Sequence, residues 1–264
     1  MGITQTHVAV SELTKLRTVR STRYALFAGF VMTIAFAIIP ALISASRWNT
    51  MTVQERIRFN PLLTTLMGVN LAQLAIGVVG VLAVTGEYST GMIRSTFAAV
   101  PKRLPVLWAK LGVLGGVTVL VALPATLIAF FTAQAILRGH KLNGRDIALS
   151  FSDPGVARAV VGGALYLMLI GLFGLGIGAT LRSTAGGISA LAAILFVVPP
   201  LMNIFPTSWS NAISPYLPSN AGRAVMQTSH SAHTLAPWVG LGVLAGYVAV
   251  TIGVAAIRLR HRDV

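Results

Sequence analysis

The chain contains no cysteine, and only six of its 264 residues are acidic. Without cysteine there is no disulfide framework and no thiolate metal site, and redox compartment is left open on that ground. Charged residues of both signs amount to 10%, against about 25% in soluble proteins. No polar segment is long enough to fold as a separate soluble domain, so residues 1–264 read as one unit. Five of the acids, Glu12, Glu55, Asp146, Asp153 and Asp263, fall in expected tails or loops, and Glu87 alone sits at the end of an apolar run. An acid or histidine near the middle of a membrane is costly and is kept for a purpose. Its absence argues against ion-coupled chemistry within this chain. No G-x-x-x-x-G-K-[ST] motif occurs, so a nucleotide site of its own is not expected. His230 and His233 are three apart with no acid nearby, which fails the H-E-x-x-H zinc pattern. The chain therefore does not read as an enzyme, and it suggests no catalytic, metal-binding or cofactor-binding residues.

Long apolar runs and basic residues are abundant instead. Uncharged runs cover 24–46, 59–86, 111–137, 159–181, 183–222 and 224–257. A helix needs roughly 20 apolar residues to cross the hydrocarbon core. The run 183–222 is too long for one span and breaks at Pro206, Pro215 and Pro218. The expectation is an all-α polytopic membrane protein with spans at about 24–46, 64–85, 109–136, 159–181, 186–205 and 235–257. The first run exceeds the length of a signal h-region, so an uncleaved N-terminus is expected.

The formal net charge is +14. In a soluble protein that would suggest nucleic acid. Here the cations flank apolar spans, where they meet anionic headgroups, and a nucleic-acid partner is not expected. With the N-terminus inside, the inner segments hold twelve Lys and Arg and the outer segments eight. That bias predicts cytoplasmic termini. Trp48, Trp108, Trp209 and Trp238 all fall at expected interfaces, as an aromatic belt would place them. Residues 1–23 read as a cytoplasmic interfacial helix, with Val10, Leu13 and Leu16 on one face and Arg17 and Arg20 snorkelling beside it.

Two segments stand out. In span two, Asn70, Gln73, Gly77, Gly80, Val84 and Glu87 recur at steps of three and four, which places them on one helix face. Lipid is a poor neighbour for Asn70 and Gln73, so the stripe faces another helix of the chain, a second subunit or a wet pathway; the sequence leaves the three open. The glycine pairs Gly174/Gly178 and Gly242/Gly246 have the spacing of close helix packing. The second segment is 87–108, between spans two and three. Ser89 or Thr90 is placed to cap a short helix that Pro101 would stop. Ile93, Phe97 and Val100 share one side of that helix, ringed by Arg94, Lys102 and Arg103, as suits docking in a groove of another protein or resting on lipid. Pro40, Pro124 and the Pro199-Pro200 pair are expected to bend their spans.

The run Gly86-Glu87-Tyr88-Ser89-Thr90-Gly91-Met92-Ile93-Arg94-Ser95-Thr96, followed by Ala98-Ala99-Val100-Pro101-Lys102-Arg103 and Trp108-Ala109-Lys110, resembles the ABC-2 type transporter permeases, in particular small bacterial ones. Glu12-Leu13-Thr14-Lys15-Leu16-Arg17 and Ser214-Pro215-Tyr216-Leu217-Pro218-Ser219 extend the resemblance along most of the chain. It implies a type V exporter-like architecture in the plasma membrane, with short outer helices in 206–234. It further implies an exporter of an amphipathic, drug-like or lipid-like substrate, paired with a second permease subunit in a homo- or heterodimer. ATP and Mg would be held by two copies of a separate ABC ATPase. By that resemblance Glu87, Met92, Ile93, Arg94, Phe97, Val100, Lys102 and Arg103 form the ATPase-coupling segment, while Asn70, Gln73, Gly77 and Gly80 line a pathway or subunit seam. The competing readings are a regulatory or immunity subunit that binds an ATPase without transporting, and a stand-alone channel or carrier.

Overall fold

The computed structural model describes residues 5–92, 103–228 and 234–261. Among them, six helices are long and apolar enough to cross a membrane: Arg20–Arg47, Pro61–Ser89, Leu104–Leu137, Val156–Leu181, Thr184–Ile204 and Pro237–Leu259. The chain is thus built as an all-α, multi-pass membrane protein. The long run 183–222 does divide near Pro206, the proline that fixes the backbone before the next short helix.

The N-terminal helix α1 (Gln5–Thr18) stops at Val19, whose extended backbone turns the chain into α2 (Arg20–Arg47). Arg20 and Arg23 therefore belong to the first turn of the first span, not to the interfacial helix. The face of α1 also differs from expectation. Val10 is exposed, while Val8 and Glu12 are buried and Lys15 is half-buried. The inward face carries a charge pair and packs on the third span.

Helix α3 (Val53–Arg58) begins with a capping box in which Thr52 and Glu55 bond each other reciprocally. The backbone N–H and hydroxyl of Thr52 both bond the Glu55 carboxylate and hold its pKa below the ordinary value. The short helix α4 (Pro61–Thr65), capped by Asn60, leads into α5 (Met67–Ser89) through a one-residue break at Leu66. Helix α6 (Arg103–Leu137) contains Pro124, and α7 (Val156–Leu181) ends in a left-handed residue, Arg182. Ser183 then caps α8 (Thr184–Ala192). A π-helical turn at Ala193–Val197 joins α8 to α9 (Val198–Leu201). This change of winding lies just ahead of Pro199 and Pro200, which supply no N–H to an α-helical ladder. The short helices α10 (Thr207–Ile213) and α11 (Pro218–Arg223) follow, and α12 (Pro237–His261) is the last span.

Helix α7 forms the centre. Of its most apolar window 72% is buried, against 22% for the first span and 17% for the fifth, which lie at the periphery. Glycines allow this. A Cβ on Gly80 would overlap the carbonyl oxygen of Gly171, and one on Gly174 would overlap that of Gly77. The α5 and α7 backbones touch where side chains elsewhere hold helices apart. Gly68 meets the Thr33 carbonyl of α2 in the same way. The Gly242/Gly246 pair behaves differently from Gly174/Gly178: both residues face open space, so that spacing makes no helix contact within the described residues.

Outside the spans, a two-residue ribbon pairs β1 (Lys141–Leu142) with β2 (Arg145–Asp146). Its turn is Asn143-Gly144, both at positive φ, the conformation that favours this dipeptide in tight hairpins. The ribbon covers Trp48, whose indole N–H donates to the Lys141 carbonyl at 3.2 Å and whose ring packs edge-on to Phe59. Trp48 is 3% exposed. It is a core residue, packed in a cluster with Ala133, Leu137 and Ile147, and not part of an aromatic belt. Trp108, Trp209 and Trp238 remain exposed.

Candidate functional site

The densest polar constellation lies where α1 meets the facing ends of α5 and α6. Glu12 and Lys15 are one turn apart on α1, Glu87 is in the last turn of α5, and Lys110 is two turns into α6. Lys110 Nζ donates to Glu12 Oε2 at 2.5 Å, to Glu87 Oε1 at 2.7 Å and to the Ala83 carbonyl at 3.2 Å. Lys15 Nζ donates to Glu12 Oε1 and Glu87 Oε1, both at 2.7 Å. Two carboxylates and two ammonium groups cancel formally, which is what permits Glu12, Glu87 and Lys110 to be buried at 4–6% exposure. Burial opposes the charge on Lys15, yet its hydrogen bonds to Glu12 and Glu87 outweigh that and hold its pKa above the usual 10.5.

Each member reaches the cluster through its own helix. Val8 and Glu12 lie at i and i+4, so burying the apolar residue buries the acid. Ser89 and Thr90 were expected to cap the next helix. Their hydroxyls both donate back to the Gly86 carbonyl, closing the end of α5 one turn after Glu87, and the helix expected to be capped lies beyond Met92, outside the described residues. Arg182 stacks over Tyr88 with its guanidinium carbon 5.3 Å from the ring centroid. Arg258 of α12 donates to the Thr180 carbonyl at the end of α7 at 2.6 Å. The same end of the molecule thus gathers the ends of α5, α6, α7 and α12. Beside the cluster is a cavity of about 350 Å³, bounded by Leu16, Val19, Leu82, Met92 and Thr184, with Glu87 and Lys110 in its wall. Glu87 Oε2 is buried and accepts no hydrogen bond among the described residues.

Of the expected coupling residues, Glu87 and Met92 are described, and Arg103 opens α6. Ile93, Arg94, Phe97, Val100 and Lys102 lie outside the described residues. The Glu87 carboxylate is turned inward to Lys15 and Lys110. The acid expected in a tail, Glu12, belongs to the same buried group. Sequence reasoning missed Glu12, Lys15 and Lys110 as a unit. Two signals were present: the i,i+3 spacing of Glu12 and Lys15, and a lysine two residues inside an apolar run after Trp108.

The stripe on α5 resolves residue by residue. Gln73, Gly77 and Gly80 are buried within the chain. Gly77 and Gly80 meet α7, and the Gln73 carbonyl oxygen accepts a hydrogen bond from the buried Tyr166 hydroxyl. The glycines on both helices let α5 and α7 close on one another. Gln73 Nε2 also donates to the Asn70 backbone carbonyl at 2.7 Å. Asn70 itself lines a cavity at the opposite end of the spans. No protein-family model matches the chain, and no curated protein matches its sequence.

Proposed function

We propose that the chain is the membrane-spanning permease subunit of an ATP-binding cassette exporter, moving an amphipathic, drug-like or lipid-like substrate out of the cytoplasm. It spans the plasma membrane with both termini inside, and it pairs with a second permease subunit. The observation that carries this reading is the buried Glu12–Lys15–Glu87–Lys110 cluster. It joins α1 to both helices that bracket residues 93–102, the segment whose sequence suits docking to an ATPase. A segment that receives force needs rigid roots. A loop hung from two unconnected helix ends would absorb motion locally, whereas roots tied by three charge-assisted contacts between helices move together.

The mechanism follows from that arrangement. ATP and Mg bind two ATPase copies, whose closure displaces the segment around Arg94 and Phe97. The cluster passes the displacement to α1, α5 and α6 as one body. Helix α7, packed backbone to backbone on α5, follows it and shifts the path between permease subunits. The segment must bind the ATPase differently in its two states, since only differential affinity supplies coupling free energy.

The reading is tested by affinity purification of the tagged full chain from its native membrane in mild detergent, with mass spectrometry of what accompanies it. Wild type is expected to recover a Walker-motif ATPase, and an Arg94→Glu, Phe97→Ala variant is expected to lose it. Recovery of no ATPase with wild type would instead favour a channel or carrier acting alone.

A further inference from the structure

We propose that the outer cavity binds the anionic group of an amphiphile, with Arg223 as its anchor. The cavity, of about 380 Å³, lies among the outer ends of α4 and α5, the α10–α11 region and the approach to α12. That volume is within the range of small-ligand pockets. Its polar side is formed by Asn70, Asn220 and Arg223, and its apolar side by Leu63, Leu66 and Leu235.

Three observations define the ligand. The first is charge. Arg223 is half-buried, and its hydrogen bonds run to neutral groups: Nε to the Ser219 carbonyl at 3.0 Å and Nη2 to Asn220 Oδ1 at 2.6 Å. Nη1 makes no hydrogen bond among the described residues. No Asp or Glu lines the cavity, and the neighbouring residues 229–233 include none. A partly desolvated guanidinium with no counter-charge is best complemented by carboxylate or phosphate oxygens, which its fork geometry matches. The second is an uncommitted amide. Asn70 Oδ1 is buried without a hydrogen-bond partner, and an amide side chain can turn a donor or an acceptor toward a headgroup. The third is the apolar wall. Leu63 is 51% exposed, as are the nearby Tyr216 and Ile213 at 52% and 46%, so the cavity opens beside surface that suits an alkyl chain. An inorganic anion would leave that wall unused. An anionic lipid or a surfactant-like acid fills both halves. This inference stands on the cavity alone and does not depend on the exporter reading.

The test is native mass spectrometry of the purified full chain in mild detergent. It is titrated with a short-chain phosphatidylglycerol, with the matched phosphatidylcholine, and with inorganic phosphate as competitor. Wild type is expected to bind the anionic lipid at least about tenfold more tightly than the zwitterionic one, the size of one charge-assisted contact. Arg223→Gln is expected to erase that preference, and Arg223→Lys to retain most of it. Leu235→Trp, which fills the apolar side without touching charge, is expected to weaken both lipids. If phosphate alone displaces the lipid at low millimolar concentration, the anion site stands and its ligand is a free anion. Equal binding of the two lipids to wild type, or an unchanged preference in Arg223→Gln, would overturn the proposal.

Discussion

Lys110 touches carboxylates from two other helices, and its removal affects more than one pair. Deleting one charge from a buried group leaves another unpaired, at a cost of about 3–5 kcal/mol. Glu87→Gln leaves two lysines to share Glu12, and Lys110→Met leaves Glu12 and Glu87 with Lys15 between them. Each single variant is therefore expected to lower stability by that order, measured by thermal unfolding in detergent. The double variant removes one charge of each sign and is expected to lose clearly less than the sum of the two. Additive losses would mean that the two residues act separately and that the cluster is not one unit. Arg223, at the other end of the molecule, is the opposite case: a cation whose recorded partners are neutral, so its change is read in ligand preference.

Among the elements, the α5–α7 contact holds the centre of the fold. Gly80→Leu would push a side chain into the Gly171 backbone and is expected to destabilise the protein by about 3 kcal/mol or more. Gly112→Leu, at a position with open space around it, is expected to change stability by no more than about 0.5 kcal/mol. Similar losses in both would contradict the packing assigned to α5. This contact also shows what a sequence makes legible. Hydropathy counts spans because the bilayer sets one length for all of them, so six apolar helices were readable. The period of Asn70, Gln73, Gly77 and Gly80 marked a face, but periodicity carries no information about the neighbour, and for the last three that neighbour is internal. Gly174/Gly178 and Gly242/Gly246 have the same spacing and opposite surroundings for the same reason. Trp48 stands at the expected depth, yet a ribbon contributed almost a hundred residues later buries it. The Asn143-Gly144 hairpin went unread, although its signal is local. The cluster of Glu12, Lys15, Glu87 and Lys110 was not, because charge at a span boundary looks the same whether it meets water, lipid or another helix.

At the scale of the whole molecule, one end is tied by ion pairs and the other end holds a cavity with an uncompensated cation. Helix α7 lies between them, and the first and fifth spans are left largely exposed. Under the proposed function, the tied end receives work from an ATPase. The most direct measurement is ATP hydrolysis by material purified from native membranes through the tagged chain. Wild type is compared with the Glu87→Gln, Lys110→Met double variant, whose folding is checked by its elution profile. The account predicts hydrolysis with wild type and roughly a tenfold or greater loss with the variant, a coupling of ordinary allosteric size. Absence of hydrolysis with wild type, or equal hydrolysis with both, would contradict it.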